Sequence, residues 1–227
     1  MGRLGLLGCL GILLLAVIVI GGWFVGVRNN LVGLDQAVQA QWAQVENQYQ
    51  RRYDLIPNLV RTVQGAANFE KSTLEAVVNA RARVGQVQAP AGGPPGTQSN
   101  LPNDPNAMAQ FEAAQASLSG ALSRLLVVVE RYPDLKSNQN FLELQSQLEG
   151  TENRIGVERM RYNEKAQAFN TAVLRFPANL VANFSGFKPK AYFQGTAGSS
   201  TPPPVNFQPF GQAPAPAPAP ATGTTGS

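Results

Sequence analysis

The sequence predicts an all-α protein: an N-terminal transmembrane helix, an antiparallel up-down bundle of three to four long helices, and a disordered C-terminal tail. Three patterns carry that expectation. Residues 4–27 contain no charge and no Asn, Gln, Ser or Thr. Over residues 31–84, 108–132 and 141–176, apolar side chains recur at helical spacing, with no strand-like alternation. From residue 191 onward the chain has no charge and is rich in Gly, Ser, Thr and Pro.

As a helix, residues 4–27 extend roughly 36 Å, enough to cross the hydrocarbon core of a bilayer. Arg3 and Arg28 bracket the segment, and Trp23 and Phe24 stand near one end, where aromatic side chains anchor at a membrane interface. The anchor is placed at residues 1–28, marked by Leu4, Gly22, Trp23, Gly26 and Val27. A cleaved signal peptide is the competing reading. Its apolar region runs to about 7–15 residues and ends in a small-residue cleavage site, which does not describe this segment. Gly22 and Gly26 form one G-x-x-x-G, a spacing that lets transmembrane helices approach closely, although it also arises by chance in a Gly-rich segment. The α-amino group and Arg3 on one side, against Arg28 on the other, favour a cytoplasmic N-terminus with the bundle outside.

Composition removes several function classes. Eighteen Lys and Arg stand against fourteen Asp and Glu, with only 14% of residues charged and no basic run longer than two, so nucleic acid is not an expected partner. There is no histidine and one cysteine, Cys9, which removes most metal sites and the Cys-His and Ser-His-Asp arrangements. No catalytic, cofactor-binding or metal-ligating residues are expected, and no enzyme. The remaining hydrolytic candidates are the carboxylates Glu46, Asp54, Glu152 and Glu158. General acid/base work needs a paired group of shifted pKa in a cleft, whereas carboxylates beside arginines are more often ion pairs.

The bundle domain is expected over residues 29–190. Leu31, Leu34, Val38, Trp42, Val45, Tyr49, Arg52, Ile56, Leu59 and Val63 form the first stripe, with no Pro and a single Gly, Gly33, between Asn29 and Asp54, so this helix can follow directly from the membrane. Pro57 removes a backbone donor and predicts a kink, with Arg52 and Asp54 expected as polar partners of the last helix and Asn58 and Asn163 expected to satisfy the carbonyls that the kink releases. Leu74, Val77 and Val84 continue the pattern beyond a weak point at Gly65. Residues 86–106 read as a loop, dense in Pro and Gly. A third stripe follows from Met108 to Tyr132, apolar except for Gln115. The last helix starts at Ser137 or Asn138 as cap and places Phe141, Leu144, Leu148, Ile155, Tyr162, Ala166, Phe169, Val173 and Phe176 on its stripe, ending at Pro177. The tail, residues 191–227, has too little apolar surface to order itself.

Three charged residues interrupt these stripes: Arg52 on the first helix, Glu152 and Arg159 on the last. With the two helices antiparallel and their stripes aligned, Arg52 falls near the level of Ile155, within reach of Glu152 or Glu158. An internal ion-pair layer follows as an expectation. Such layers pay a desolvation cost and serve chiefly to fix register. The alternative is that these long side chains reach out to water.

The segments "LDQAVQAQWAQVENQYQRRYDLIPNLVRTVQG" (34–65), "ENRIGVERMRYNEKAQAFN" (152–170), "RFPANLVANFSGFKP" (175–189) and "YFQ" (192–194) together closely resemble the LemA family. The resemblance implies a bacterial protein with a single N-terminal transmembrane helix and an antiparallel helical bundle, and implies no enzyme activity or cofactor. By position the family's motif residues are Arg52, Asp54, Leu55, Ile56, Pro57, Asn58 and Leu59, then Glu152, Asn153, Arg154, Ile155, Arg161, Tyr162 and Asn163, then Phe176 and Pro177. Gln194 stands where the family often has an acidic residue, and the Pro-Ala tail is not a family feature.

The function expected is that of a membrane-anchored interaction or assembly scaffold in a bacterial inner membrane, self-associating or binding other envelope proteins. A lipid- or peptide-binding module at the membrane surface is the alternative, resting on the aromatic and lysine-bearing segment 176–193. Hydrolysis by helix-borne carboxylates is a remote third.

Overall fold

The computed structural model describes residues 2–65, 69–88 and 101–195, with side chains except those of residues 2–9 and 88. Its elements are α1 (Gly2–Gln64), α2 (Lys71–Gln88), a 3-10 turn (Leu101–Asn103), α3 (Pro105–Val129), the short α4 (Pro133–Lys136), α5 (Gln139–Leu174) and α6 (Ala178–Ser185). Among the described residues there is no strand.

Local chemistry sets the helix starts. Asp104 caps α3, its Oδ1 accepting from the backbone N–H of Asn106 at 2.9 Å and of Ala107 at 3.3 Å, while Pro105 occupies the first turn, where a missing donor costs nothing. Asn138 does the same for α5, accepting from Asn140 at 3.0 Å and Phe141 at 3.2 Å. α6 ends at Gly186, whose φ of 76° lies in the left-handed region that glycine reaches without a Cβ penalty.

The four long helices run up, down, up and down. Glu70, just before α2, pairs with Arg131, just after α3, so these two are antiparallel. Trp42 and Arg52 of α1 meet Phe111 and Gln115 of α3 in ascending order, so α1 and α3 run together. Gln41 and Arg52 meet Glu158 and Glu152 in descending order, so α5 runs against both. α1 packs chiefly on α5, and α2 chiefly on α3.

α1 is one uninterrupted helix from the apolar segment into the bundle. An 18-residue window within it has a mean hydropathy of 2.6, and none of that window is buried, which makes it long and apolar enough to cross a membrane. Pro57 lies inside the helix without ending it. The carbonyl it releases, that of Tyr53, accepts from Arg81 Nε of α2 at 3.3 Å, and the Arg81 guanidinium covers the Tyr53 ring at 3.8 Å. Gly85 lets α2 pass beneath this ring, since a Cβ there would stand 3.2 Å from the Tyr53 hydroxyl.

Elsewhere the boundaries differ from expectation. The loop expected over 86–106 is shorter at both ends, because α2 continues to Gln88 and α3 starts at Pro105. Phe176, placed on the last stripe, is 75% exposed, because α5 stops at Leu174 and the chain turns at Pro177 into α6. The packed unit extends to Phe193, three residues past the expected domain end, because an extended strap after α6 folds back along α5. The tail expected beyond it lies outside the described residues from 196 on.

Candidate functional site

The bundle core is two apolar clusters with a polar layer between them. One cluster, nearer the apolar end of α1, gathers Leu31, Val38, Trp42, Tyr49, Phe111, Ile155, Tyr162 and Phe169. The other gathers Ile56, Leu59, Val63, Val77, Leu118, Leu125, Phe141 and Leu148. At the boundary, three helices each turn a polar residue inward: Arg52, Gln115 and Thr151, all buried. Thr151 spends its hydroxyl on its own helix, donating to Gln147 O at 2.7 Å.

Arg52 holds the layer together. Its Nη1 stands 2.5 Å from Glu152 Oε2 and 3.0 Å from Ser119 Oγ, while Nη2 donates to Gln115 Oε1. Its guanidinium also lies 5.3 Å from the centre of the Tyr49 ring. Charge-assisted bonds of this kind hold the two terminal nitrogens of a buried guanidinium in a fixed orientation, while its Nε is buried without a hydrogen-bond partner among the described residues. The pair is lopsided: the Arg52 side chain is 3% exposed and that of Glu152 54%. Glu152 therefore sits at the rim, because the inward stripe of α5 passes through Leu148, Thr151 and Ile155. An open cavity of about 250 Å³ adjoins the layer, walled by Leu59, Leu122, Leu126 and Leu148 below Arg52 and Glu152.

Arg159 lies one level nearer the apolar end. Its Nη2 is 2.8 Å from Glu112 Oε1 of α3, and its guanidinium covers the Phe193 ring at 4.6 Å. Charge on the stripe is thus answered mainly by α3, through Gln115, Ser119 and Glu112, rather than by α1 and α5 alone.

The remaining motif residues divide between the strap and the surface. Tyr162 donates its hydroxyl to Ala191 O at 2.9 Å, and burial pushes its phenol well above the ordinary range, with nearby Tyr192 adding a little. Asn163 uses both ends of its amide on the Phe193 main chain, donating at 3.0 Å and accepting at 2.9 Å. Asn170 treats Lys190 in the same way, at 2.9 Å and 2.6 Å. Lys190 is itself buried, with Nζ 2.5 Å from Asp35 Oδ1 and 2.6 Å from Asn103 Oδ1 and 5.1 Å from the Phe169 ring centre. The strap is also closed by Phe193, stacked on Trp42 at 5.6 Å.

Asp54 does not face α5. Two residues on from Arg52, it points about 200° away, and its Oδ1 accepts from Gln50 on its own helix at 2.8 Å. Asn58 is exposed and accepts from Arg61 at 2.5 Å, so neither it nor Asn163 serves the carbonyl that Pro57 frees. Arg161 bonds Glu158 at 2.8 Å along the helix surface, and Glu158 also accepts from Gln41 at 2.6 Å. Asn153 and Arg154 lie on the outer face of α5. Trp23, Gly22 and Gly26 are exposed on α1, Val27 is half-buried, and the side chain of Leu4 lies outside the described residues. Among the described residues no three His, Cys, Asp or Glu side chains converge as metal ligands would.

Sequence reasoning missed Arg81, Asp35, Asn103, Asn170 and Lys190. Lys190 had a signal, as a charge in a segment otherwise apolar enough to pack, but its partners come from three separate parts of the chain.

The chain is similar to the magnetosome protein MamQ 2 of Paramagnetospirillum magneticum, at 30% identity over 77% of this chain and 67% of that protein. MamQ of Magnetospirillum gryphiswaldense is 29% identical over the same shares. Protein LemA of Metamycoplasma hominis is 24% identical over 76% of this chain and 71% of its own length. The model of the LemA family matches residues 41–207, a stretch that takes in the inward arginines and the asparagines that hold the strap. On that match the chain belongs to the LemA family.

Proposed function

We propose that this protein is a membrane-anchored assembly module: a single-pass anchor in a bacterial membrane carrying a bundle that associates with itself or with other envelope proteins. The observation that carries this reading is the continuity of α1. The apolar segment and the bundle's first helix are one helix with no linker between them, so whatever holds the anchor also orients the bundle. The polar layer supports the same reading, since a buried arginine with partners on α3 and α5 favours one packing register. The candidate carboxylates Asp54, Glu152 and Glu158 each have a glutamine or arginine partner. In the proposed topology the N-terminus is cytoplasmic and the bundle outside.

Crosslinking in native membranes, followed by mild extraction and sizing of the full chain, tests the proposal. Recovery of a defined homo-oligomer or of a stoichiometric envelope partner is the expected result. Monomers alone, with nothing recovered beside them, would overturn it.

A further inference from the structure

Large apolar side chains on the outside of the bundle are mostly scattered, as on any protein: Val78, Val127 and Met160 are examples. At one corner they gather. Leu174, Phe176, Leu180 and Phe184 are 67%, 75%, 60% and 84% exposed, all between the last residue of α5 and the end of α6. α6 buries Val181 and Ala182 against the bundle, while Leu180 and Phe184, four apart and so on one face, point away from it.

This corner meets α1 at the end of its apolar segment. The rings of Phe184 and Phe24 are 5.7 Å apart and nearly perpendicular. Phe24 lies three residues before Val27, so Phe184 stands about 4–5 Å inside the apolar span along the helix axis. An open groove of about 510 Å³, lined by Trp23, Val27, Leu31, Ala172, Phe176 and Pro177, lies between the two elements.

We propose that α6 and the turn before it form a second membrane contact, with Phe176, Leu180 and Phe184 immersed in the interfacial layer of the bilayer that α1 crosses. The inference rests on α1 being a membrane span. Given that span, a side chain touching Phe24 from the bundle side is at a depth where lipid surrounds it. Charge agrees with the placement. Residues 174–193 include Arg175, Lys188 and Lys190 and no carboxylate. Lys190 is occupied by Asp35, which leaves Arg175 and Lys188, with Arg28 of α1, exposed as cations for anionic headgroups.

The test uses the full chain in vesicles of phosphatidylethanolamine and phosphatidylglycerol. Cys9, the single cysteine, is replaced by Ala, and spin labels are attached through Leu15→Cys, Leu180→Cys, Phe184→Cys or Val127→Cys, all exposed positions where a label displaces no core. Accessibility to oxygen and to a water-soluble nickel complex gives depth. Labels at 180 and 184 are expected to favour oxygen over nickel, though less strongly than the label at 15, and the label at 127 to favour nickel. Nickel preference at 180 and 184 with oxygen preference at 15 would overturn the second contact and leave the anchor standing. Nickel preference at 15 would overturn the anchor and the inference with it. Labels at 184 shielded from both reagents and broadened by a neighbouring label would assign the face to a second copy, which also overturns it.

Discussion

Arg81 of α2 donates to the carbonyl of Tyr53 at 3.3 Å, the acceptor that Pro57 leaves without its helical partner. A proline inside a helix thus has its defect repaired by the neighbouring helix. Arg81→Ala is expected to cost about 1–2 kcal/mol, from the lost bond and the lost cover over the Tyr53 ring. In a Pro57→Ala background, where residue 57 regains its N–H, the same change should cost measurably less. Urea unfolding of the four proteins in this cycle checks the coupling; simple additivity would remove the repair from the account.

Arg52→Met is expected to destabilise the bundle by about 1–3 kcal/mol, because Gln115 is left buried with an unanswered carbonyl while Glu152 returns to water. Adding Gln115→Leu should recover most of that loss, since an apolar layer of similar volume is often as stable as an ionic one. Chemical denaturation decides between this and a side chain that merely reaches solvent, for which Arg52→Met would be neutral.

Asn170→Ala breaks two bonds to the Lys190 main chain and should cost about 2 kcal/mol. The readout is local. Hydrogen exchange or proteolysis across residues 187–193 should accelerate well before α1 or α3 shows any change, and uniform acceleration would mean that the strap is not a separate unit.

Alkaline pH should loosen the bundle through its phenols. Burial raises the pKa of Tyr162, and raises that of Tyr49 despite opposition from Arg159 and Arg52. With folded values above the unfolded value of about 10, the native state keeps protons that the unfolded state has lost, so stability is complete below about pH 10 and falls as pH rises past it. Tyr162→Phe should lose about 1 kcal/mol near neutrality, from the bond to Ala191, and show a shallower decline above pH 10. Denaturation midpoints across that range are the measurement.

The bundle was legible because each stripe is a local pattern: the buried positions of α1 from Leu31 to Val63 are those that a period of 3.6 selects. Arg52 was legible for the same reason, as a charge where the period calls for a hydrophobe. Its partners on α3 were not, because Ser119 and Glu112 read as ordinary surface residues until a third helix is packed. The strap shows the limit most clearly. Tyr162, Asn163 and Asn170 sit on or beside a stripe, and nothing in their spacing says that they receive an extended segment 20 to 30 residues later.

The unbroken α1 also gives the molecule a mechanical property. From Val27 to Gln64 the helix reaches about 56 Å, so a change of roughly 10° in the tilt of the span carries its far end sideways by about 10 Å. Bilayer thickness sets such angles, and along one continuous helix a lever of this length converts a small difference in lipid into a large displacement of the bundle's far end.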